Sequence, residues 1–347
     1  VDSLVVYAPA WKGAAEFDAV QPFEVVRHRN SLMLPEPSVA RRAAELIRSH
    51  GCDTVWFGAA APLGLLAGQL RRAGAERVVA QTHGHEVGWA QLPGARGLLR
   101  KIARGADVVT YLGEYTRQRL DRVVGDLTQL ERLPPGVDSE IFQPDSGGEE
   151  IRQRYGLGDR PVVVCVSRLV PRKGQDQLIR VLPELRRRVP GTALLLVSGG
   201  PDRDRLVSLA AKSGVAEDVK FTGSVGWEEL PAHYAAGDVF AMPCRTRRAG
   251  LDVEGLGIVY LEASATSLPV VAGNSGGAPD AVLEGETGYV VDGRSEHQLI
   301  ERITALLADP DLARRMGKAG RAWVRGQWNW DLFANRMTTL LQANSPQ

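Results

Sequence analysis

Two glutamates, Glu254 and Glu262, stand eight positions apart within the stretch DVEGLGIVYLEAS (252–264), whose glycines at 255 and 257 mark a turn of the kind that opens a helix. A helix start gathers unpaired amides and about half a positive charge, so it attracts anions. A phosphate held there would repel Glu254, which is left for a neutral partner such as the hydroxyls of a sugar. Further toward the N-terminus, VSRLVPRKGQ (166–175) ends an apolar run with Arg168 and Lys173 on a proline-containing loop. Arginine forks to two oxygens and lysine acts as a point charge, a pairing suited to a diphosphate. Alone these cations fit a solvated loop equally well; the helix start at 255–257 tips the reading toward phosphate.

Other constellations carry less. NSGGAPD (274–280) is a Gly-Gly turn whose amides could approach a sugar or phosphate, or simply join a strand to a helix. In QTHGHEVGW (81–89), His83 ends a strand-like run and is read as a hydrogen-bonding partner for substrate across a cleft. His83, His85 and Glu86 lack the helical i, i+4 spacing of a metal motif, so no metal is assigned. GARGLLRKIARGAD (94–107) sets Arg96, Arg100, Lys101 and Arg104 beside Leu98, Leu99 and Ile102 at helical spacing. That pattern fits a solvated face of a packed helix or a weak contact with an anionic membrane surface. No GxSxG, P-loop or GxGxxG follows a strand, which removes the main support for hydrolase, kinase and dinucleotide readings.

The elements that must hold these residues are α/β. Short apolar runs alternate with helical patterns: SLVVYAP, TVWFGAA, RVVAQTH and DVVTYLG, then PVVVCVS, ALLLVSGG, DVKFTG, DVFAMPC, PVVAGN and GYVVDG. Runs without polar alternation imply parallel sheets covered by helices on both faces. A length of 347 residues suggests two domains, each a doubly wound sheet. LPPGVDSEIFQPDSGGEE (133–150), rich in Pro, Gly and acid, is read as the boundary. The predicted domains are 1–145 and 146–329, with a terminal helix over 330–347 placed to cross back to the first. A net charge of +1 gives no case for nucleic acid. Cys52, Cys165 and Cys244 have neither disulfide nor zinc spacing. With no long apolar run or leader, the expected location is a reducing cytoplasm.

At this point the residues resemble a known family. The glutamate pair Glu254 and Glu262, with the Arg and Lys of SRLVPRKG, is similar to the signature of the retaining glycosyltransferases of family 4, which have the GT-B fold, and the likeness covers nearly the whole chain. WFGAAAPLGLLAG, THGHEVGW, SRLVPRKGQD, FAMPCRTR and LDVEGLGIVYLEA resemble the actinobacterial phosphatidylinositol mannoside mannosyltransferases that use GDP-mannose. The resemblance implies an acceptor-binding N-terminal domain and a nucleotide-sugar-binding C-terminal one. It implies that Glu254 faces the hexose hydroxyls, Glu262 reaches the ribose, and the amides of Leu256, Gly257, Ile258 and Val259 hold the distal phosphate. Arg168 and Lys173 would neutralise the leaving diphosphate, His83 would bond a sugar hydroxyl, and base contacts would fall near Val225 and Trp227. No metal or other cofactor is implied, since GDP-mannose is a substrate. The partners are GDP-mannose, a phosphatidylinositol mannoside lipid and, weakly, an anionic membrane, which places the protein peripherally at the inner face of the plasma membrane.

Two departures stand out. The family's first strand and Gly-Gly turn have no counterpart before Val1, and the expectation is that an N-terminal piece has been left off. Arg248 stands where close relatives carry a small residue. The alternatives are a UDP-hexose-dependent retaining transferase, a GT-B sugar-nucleotide epimerase, and a donor-binding protein without activity.

Overall fold

A computed structural model describes residues 3–342. Residues 1, 2 and 343–347, the last of them part of the expected terminal helix, lie outside the described residues. The chain divides into two compact units, Val1–Pro134 with Ala334–Gln347, and Pro135–Phe333. The division therefore falls before the 133–150 segment has run its course, not at 145. That segment is packed rather than loose. Phe142 is buried edge-on against Tyr234, with ring centroids 5.6 Å apart, and Arg321 donates to the carbonyls of Ser139 and Phe142. An aromatic side chain and an arginine clamp outweigh a composition that reads locally as a linker.

The first unit holds β1 (Val5–Pro9), β2 (Glu24–His28), β3 (Thr54–Phe57), β4 (Arg77–Ala80), β5 (Val108–Tyr111) and β6 (Gln129–Arg132). All pairings are parallel, but they form two sheets, β1-β2 and β3-β4-β5-β6. Val78, Ala80 and Val109 of the larger sheet join Leu99, Ile102, Leu120 and Val124 of the helices in one buried cluster. The terminal helix Trp330–Gln342 adds its second half to this unit, where Arg77 Nε donates to the Leu340 carbonyl at 2.7 Å.

The second unit holds β7 (Val162–Val166), β8 (Ala193–Val197), β9 (Val219–Gly223), β10 (Val239–Met242), β11 (Val270–Gly273) and β12 (Gly288–Val291). They form one parallel sheet in the order β12-β11-β10-β7-β8-β9. The four central strands are buried along their whole length, as expected where helices cover both faces. Strand order reverses between β7 and β10, which pair through Val239 with Val163 and Phe240 with Val164. In a doubly wound sheet the crevice beyond the carboxyl ends of such a pair is where ligands bind.

Candidate active site

The loops that leave β7 and β10 carry the residues singled out above. After β7 the chain runs through Arg168 to a single 3-10 turn, Pro171–Lys173, and then into the helix Gln175–Arg188. After β10 it forms a closed loop, in which Arg247 and Asp252 exchange backbone hydrogen bonds, and then reaches Glu254 and the helix Ile258–Ala265. The reversal of strand order brings these loops together. Lys173 Nζ lies 2.6 Å from Glu254 Oε2, across 81 residues of sequence. Arg172 Nη1 donates to the same oxygen at 3.1 Å.

Glu254 is therefore buried between two cations rather than kept free for a neutral partner. The lysine expected to meet a diphosphate is thus paired with this carboxylate. Arg168 behaves differently: it is exposed, and its guanidinium has no ion-pair or hydrogen-bond partner among the described residues. The helix Ile258–Ala265 starts from Gly257, whose φ of 79° lies in the left-handed region that glycine adopts without strain. The amides of Leu256, Gly257, Ile258 and Val259 have no acceptor among the described residues, the anion-ready condition of a helix start.

The Gly-Gly turn proves to be scaffold. Gly276, at φ 59°, is packed so closely that an added Cβ would lie 1.9 Å from the Glu254 carbonyl oxygen, and the Gly277 amide donates to that carbonyl at 2.9 Å. The turn fixes the backbone that carries Glu254.

Glu262 lies on the second turn of the Ile258–Ala265 helix, buried, accepting at Oε2 from the Tyr234 hydroxyl at 2.6 Å. Burial raises its pKa above the ordinary glutamate value of 4.5, against the opposing pull of the tyrosine hydrogen bond. Tyr234, wholly buried beside this acid, is held well above 10.0 and stays a neutral donor. If the carboxylate form accepts ribose hydroxyls, GDP affinity falls on acidification, starting at a higher pH than an ordinary glutamate would give. Glu262→Gln is expected to flatten that limb, and Tyr234→Phe to weaken GDP by roughly ten- to a hundredfold, the scale of one hydrogen bond to a charged group. Titration calorimetry from pH 5 to pH 8 checks both; a limb unchanged in Glu262→Gln would exclude this acid.

Val225 and Trp227 follow β9, the edge strand, in the loop before the helix Leu230–Ala235. Trp227 is largely exposed and meets Phe142 edge-on at 5.5 Å. In the first unit, His83 follows β4, exposed, with Nε2 on the Gly58 carbonyl at 2.5 Å and its amide donating to Glu86 at 3.0 Å. His85 Nε2 faces the Ala61 carbonyl. Among the described residues no group of three or more His, Cys, Asp or Glu is placed to hold a metal ion.

Several residues escaped the sequence reading. Arg172 and Asp252 belong to the Glu254 network, and Tyr234 to Glu262. Arg245 Nη2 forks onto both oxygens of Asp176 at 2.9 Å, tying the loop after β10 to the Gln175–Arg188 helix. Arg172 and Asp252 lie within two residues of Lys173 and Glu254, a local signal that Tyr234 and Arg245 lack. Arg248 and Ala249 take left-handed φ values of 50° and 52° at the exposed tip of that loop, a conformation that disfavours any side chain.

Two buried thiols line the same region. Burial pushes Cys165 up to about 12 and Cys244 to about 11. At pH 8 a thiol reagent is therefore expected to modify only half-buried Cys52 in the folded protein, and all three after denaturation. Mass mapping of the adducts tests this, and rapid native labelling of Cys244 would contradict it.

Two Rossmann-like parallel-sheet units, with cations, unpaired helix amides and a buried carboxylate at the switch point of the second, define a GT-B glycosyltransferase. Residues 148–323 match the family described as glycosyl transferases group 1, and residues 2–141 match glycosyltransferase family 4. The chain belongs to this family of glycosyltransferases. It is 60% identical, over 97% of its length and 90% of the relative's, to the GDP-mannose-dependent alpha-(1-6)-phosphatidylinositol monomannoside mannosyltransferase of Mycolicibacterium smegmatis. It is 46% identical, over 99% and 90%, to the GDP-mannose-dependent monoacylated alpha-(1-6)-phosphatidylinositol monomannoside mannosyltransferase of Corynebacterium glutamicum. Among solved structures, a glycosyltransferase from Rickettsia africae shares the fold at a TM-score of 0.82 and 19% identity, covering 99% of this chain and 91% of that one. Sucrose-phosphate synthase from Thermosynechococcus elongatus matches at 0.74 and 25%, covering 91% and 82%.

Proposed function

We propose that the protein is a retaining α-mannosyltransferase that moves mannose from GDP-mannose to a phosphatidylinositol mannoside, the second mannosylation of that lipid. The observation that carries this reading is 60% identity, over nearly the full length, to a mannosyltransferase of that description. The site supports it chemically.

An acceptor hydroxyl oxygen bonds to the anomeric carbon while the bond from that carbon to the phosphate oxygen breaks. Attack on the face the diphosphate leaves retains configuration, and the departing phosphate oxygen takes the hydroxyl proton. The products are an α-mannoside and GDP. Negative charge grows on the diphosphate along this path, so its stabilisation is the main catalytic contribution required. Arg168 and Lys173 supply cations, and the amides of Leu256, Gly257, Ile258 and Val259 supply donors. Glu254 takes the hexose hydroxyls and Glu262 the ribose, while the loop of Val225 and Trp227 receives the base. The sugar-hydroxyl role of His83 is part of the same proposal. The chemistry needs no divalent metal, because fixed cations and amides meet the diphosphate.

Contact with lipid is assigned to a membrane surface at the inner face of the plasma membrane. No helix of the described residues is long and apolar enough to cross a membrane. The helix Pro93–Gly105 keeps Lys101, Arg104 and Leu98 exposed, although Arg96 and Arg100 are tied to the carbonyls of Ala90 and Val123.

Calorimetric titration with GDP, UDP and ADP in EDTA, followed by transfer of label from GDP-mannose, tests the whole. Selective GDP binding and labelled inositol lipid are expected. Preference for UDP would move the protein to another hexosyltransferase, and conversion of donor without acceptor would make it an epimerase.

A further inference from the structure

Arg172 sits between two acids. Its Nη1 reaches Glu254 Oε2 at 3.1 Å while its Nε faces Asp252 Oδ1 at 3.2 Å. Asp252 also approaches Arg247, Nη1 to Oδ2 at 3.8 Å, and its backbone closes the loop onto Arg247. The Arg245 amide donates to the Arg172 carbonyl at 2.8 Å, so both backbone and side chain of Arg172 are fastened to the loop after β10. Lys173 has no such tether: among the described residues its ammonium pairs only with Glu254.

This asymmetry has a consequence on the donor reading above, on which the inference rests. A diphosphate carries more negative charge than one carboxylate, so Lys173 is the cation a donor draws away. Glu254, 9% exposed at its side chain, would then lose its shorter ion pair while remaining buried, a costly state for a carboxylate unless another cation stays. We propose that Arg172, anchored by Asp252, is the positioning residue that holds Glu254 aimed and charge-compensated once Lys173 has turned to the donor's diphosphate. Arg172 thereby acts through Glu254 and does not itself bind phosphate. Asp252 acts through Arg172.

The test uses the full chain with Arg172→Gln, Arg172→Lys, Asp252→Asn and the Arg172→Gln/Asp252→Asn double variant. Turnover is measured with GDP-mannose and the lipid acceptor, and GDP affinity by calorimetry. Expected results are a kcat lowered about 30- to 100-fold in Arg172→Gln and about tenfold in Asp252→Asn, with GDP Kd within about threefold of the parent. Lysine at 172 should recover part of the lost kcat, and the double variant should be no slower than Arg172→Gln. In a Glu254→Gln background, removing Arg172 should change the residual rate by less than about twofold. A GDP Kd raised tenfold or more with kcat retained would make Arg172 a phosphate ligand and overturn the proposal. Unchanged kinetics, or effects that multiply in the double variant, would overturn it too. Should Arg172→Gln fail to fold, Asp252→Asn alone decides, by its kcat-against-Kd split. Failure of the donor reading shows in the parent protein as absent nucleotide binding, whereas failure of this inference shows only in the variants.

Discussion

Glu254→Gln is expected to lower turnover by roughly a thousandfold, about 4 kcal/mol in the barrier, while GDP binds as tightly as before or several-fold tighter. The loss follows from removing the one buried acid assigned to the sugar. The unchanged or improved affinity follows from the pair at 2.6 Å: Glu254 competes with the diphosphate for Lys173, and a neutral amide competes far less. Single-turnover rates and calorimetry on the same preparation decide the matter. A parallel loss of turnover and GDP affinity would show that Glu254 supports nucleotide binding instead.

Lys173→Ala should produce the opposite pattern, a GDP Kd raised roughly 30- to 100-fold, the scale of a charge-assisted hydrogen bond to phosphate. Two effects add. The ammonium is lost, and Glu254, now held by Arg172 alone, faces the incoming diphosphate with less of its charge balanced. Arg168, exposed and without a partner among the described residues, offers no comparable internal competition, so Arg168→Ala should weaken GDP without any compensating gain in Glu254 variants. A Kd within twofold of the parent in Lys173→Ala would remove the lysine from the phosphate site. High salt should shrink the difference between parent and variant, since the term is electrostatic.

Two edge strands show where local pattern fails. EVVRH and QLER, β2 and β6, escape the apolar-run pattern because charged side chains interrupt them, Glu24 and Arg27 in one and Glu131 and Arg132 in the other. The apolar runs of β7, β8, β10 and β11 were legible, since a strand covered on both faces must be apolar along its length.

The same division holds for the site. The sequence by itself determined the α/β class, the places of Arg168, Lys173, Glu254 and Glu262, and the glycine that starts the phosphate-ready helix, because each depends on local backbone chemistry. Only the tertiary structure decided that Lys173 and Arg172 converge on Glu254, that Tyr234 holds Glu262, that Gly276 is scaffold, and that Phe142 belongs to the second unit. Those contacts depend on which strand lies beside which. The β7-to-β10 adjacency closes over a separation of 81 residues between Lys173 and Glu254, and it is set by packing of the whole sheet, which no local period encodes.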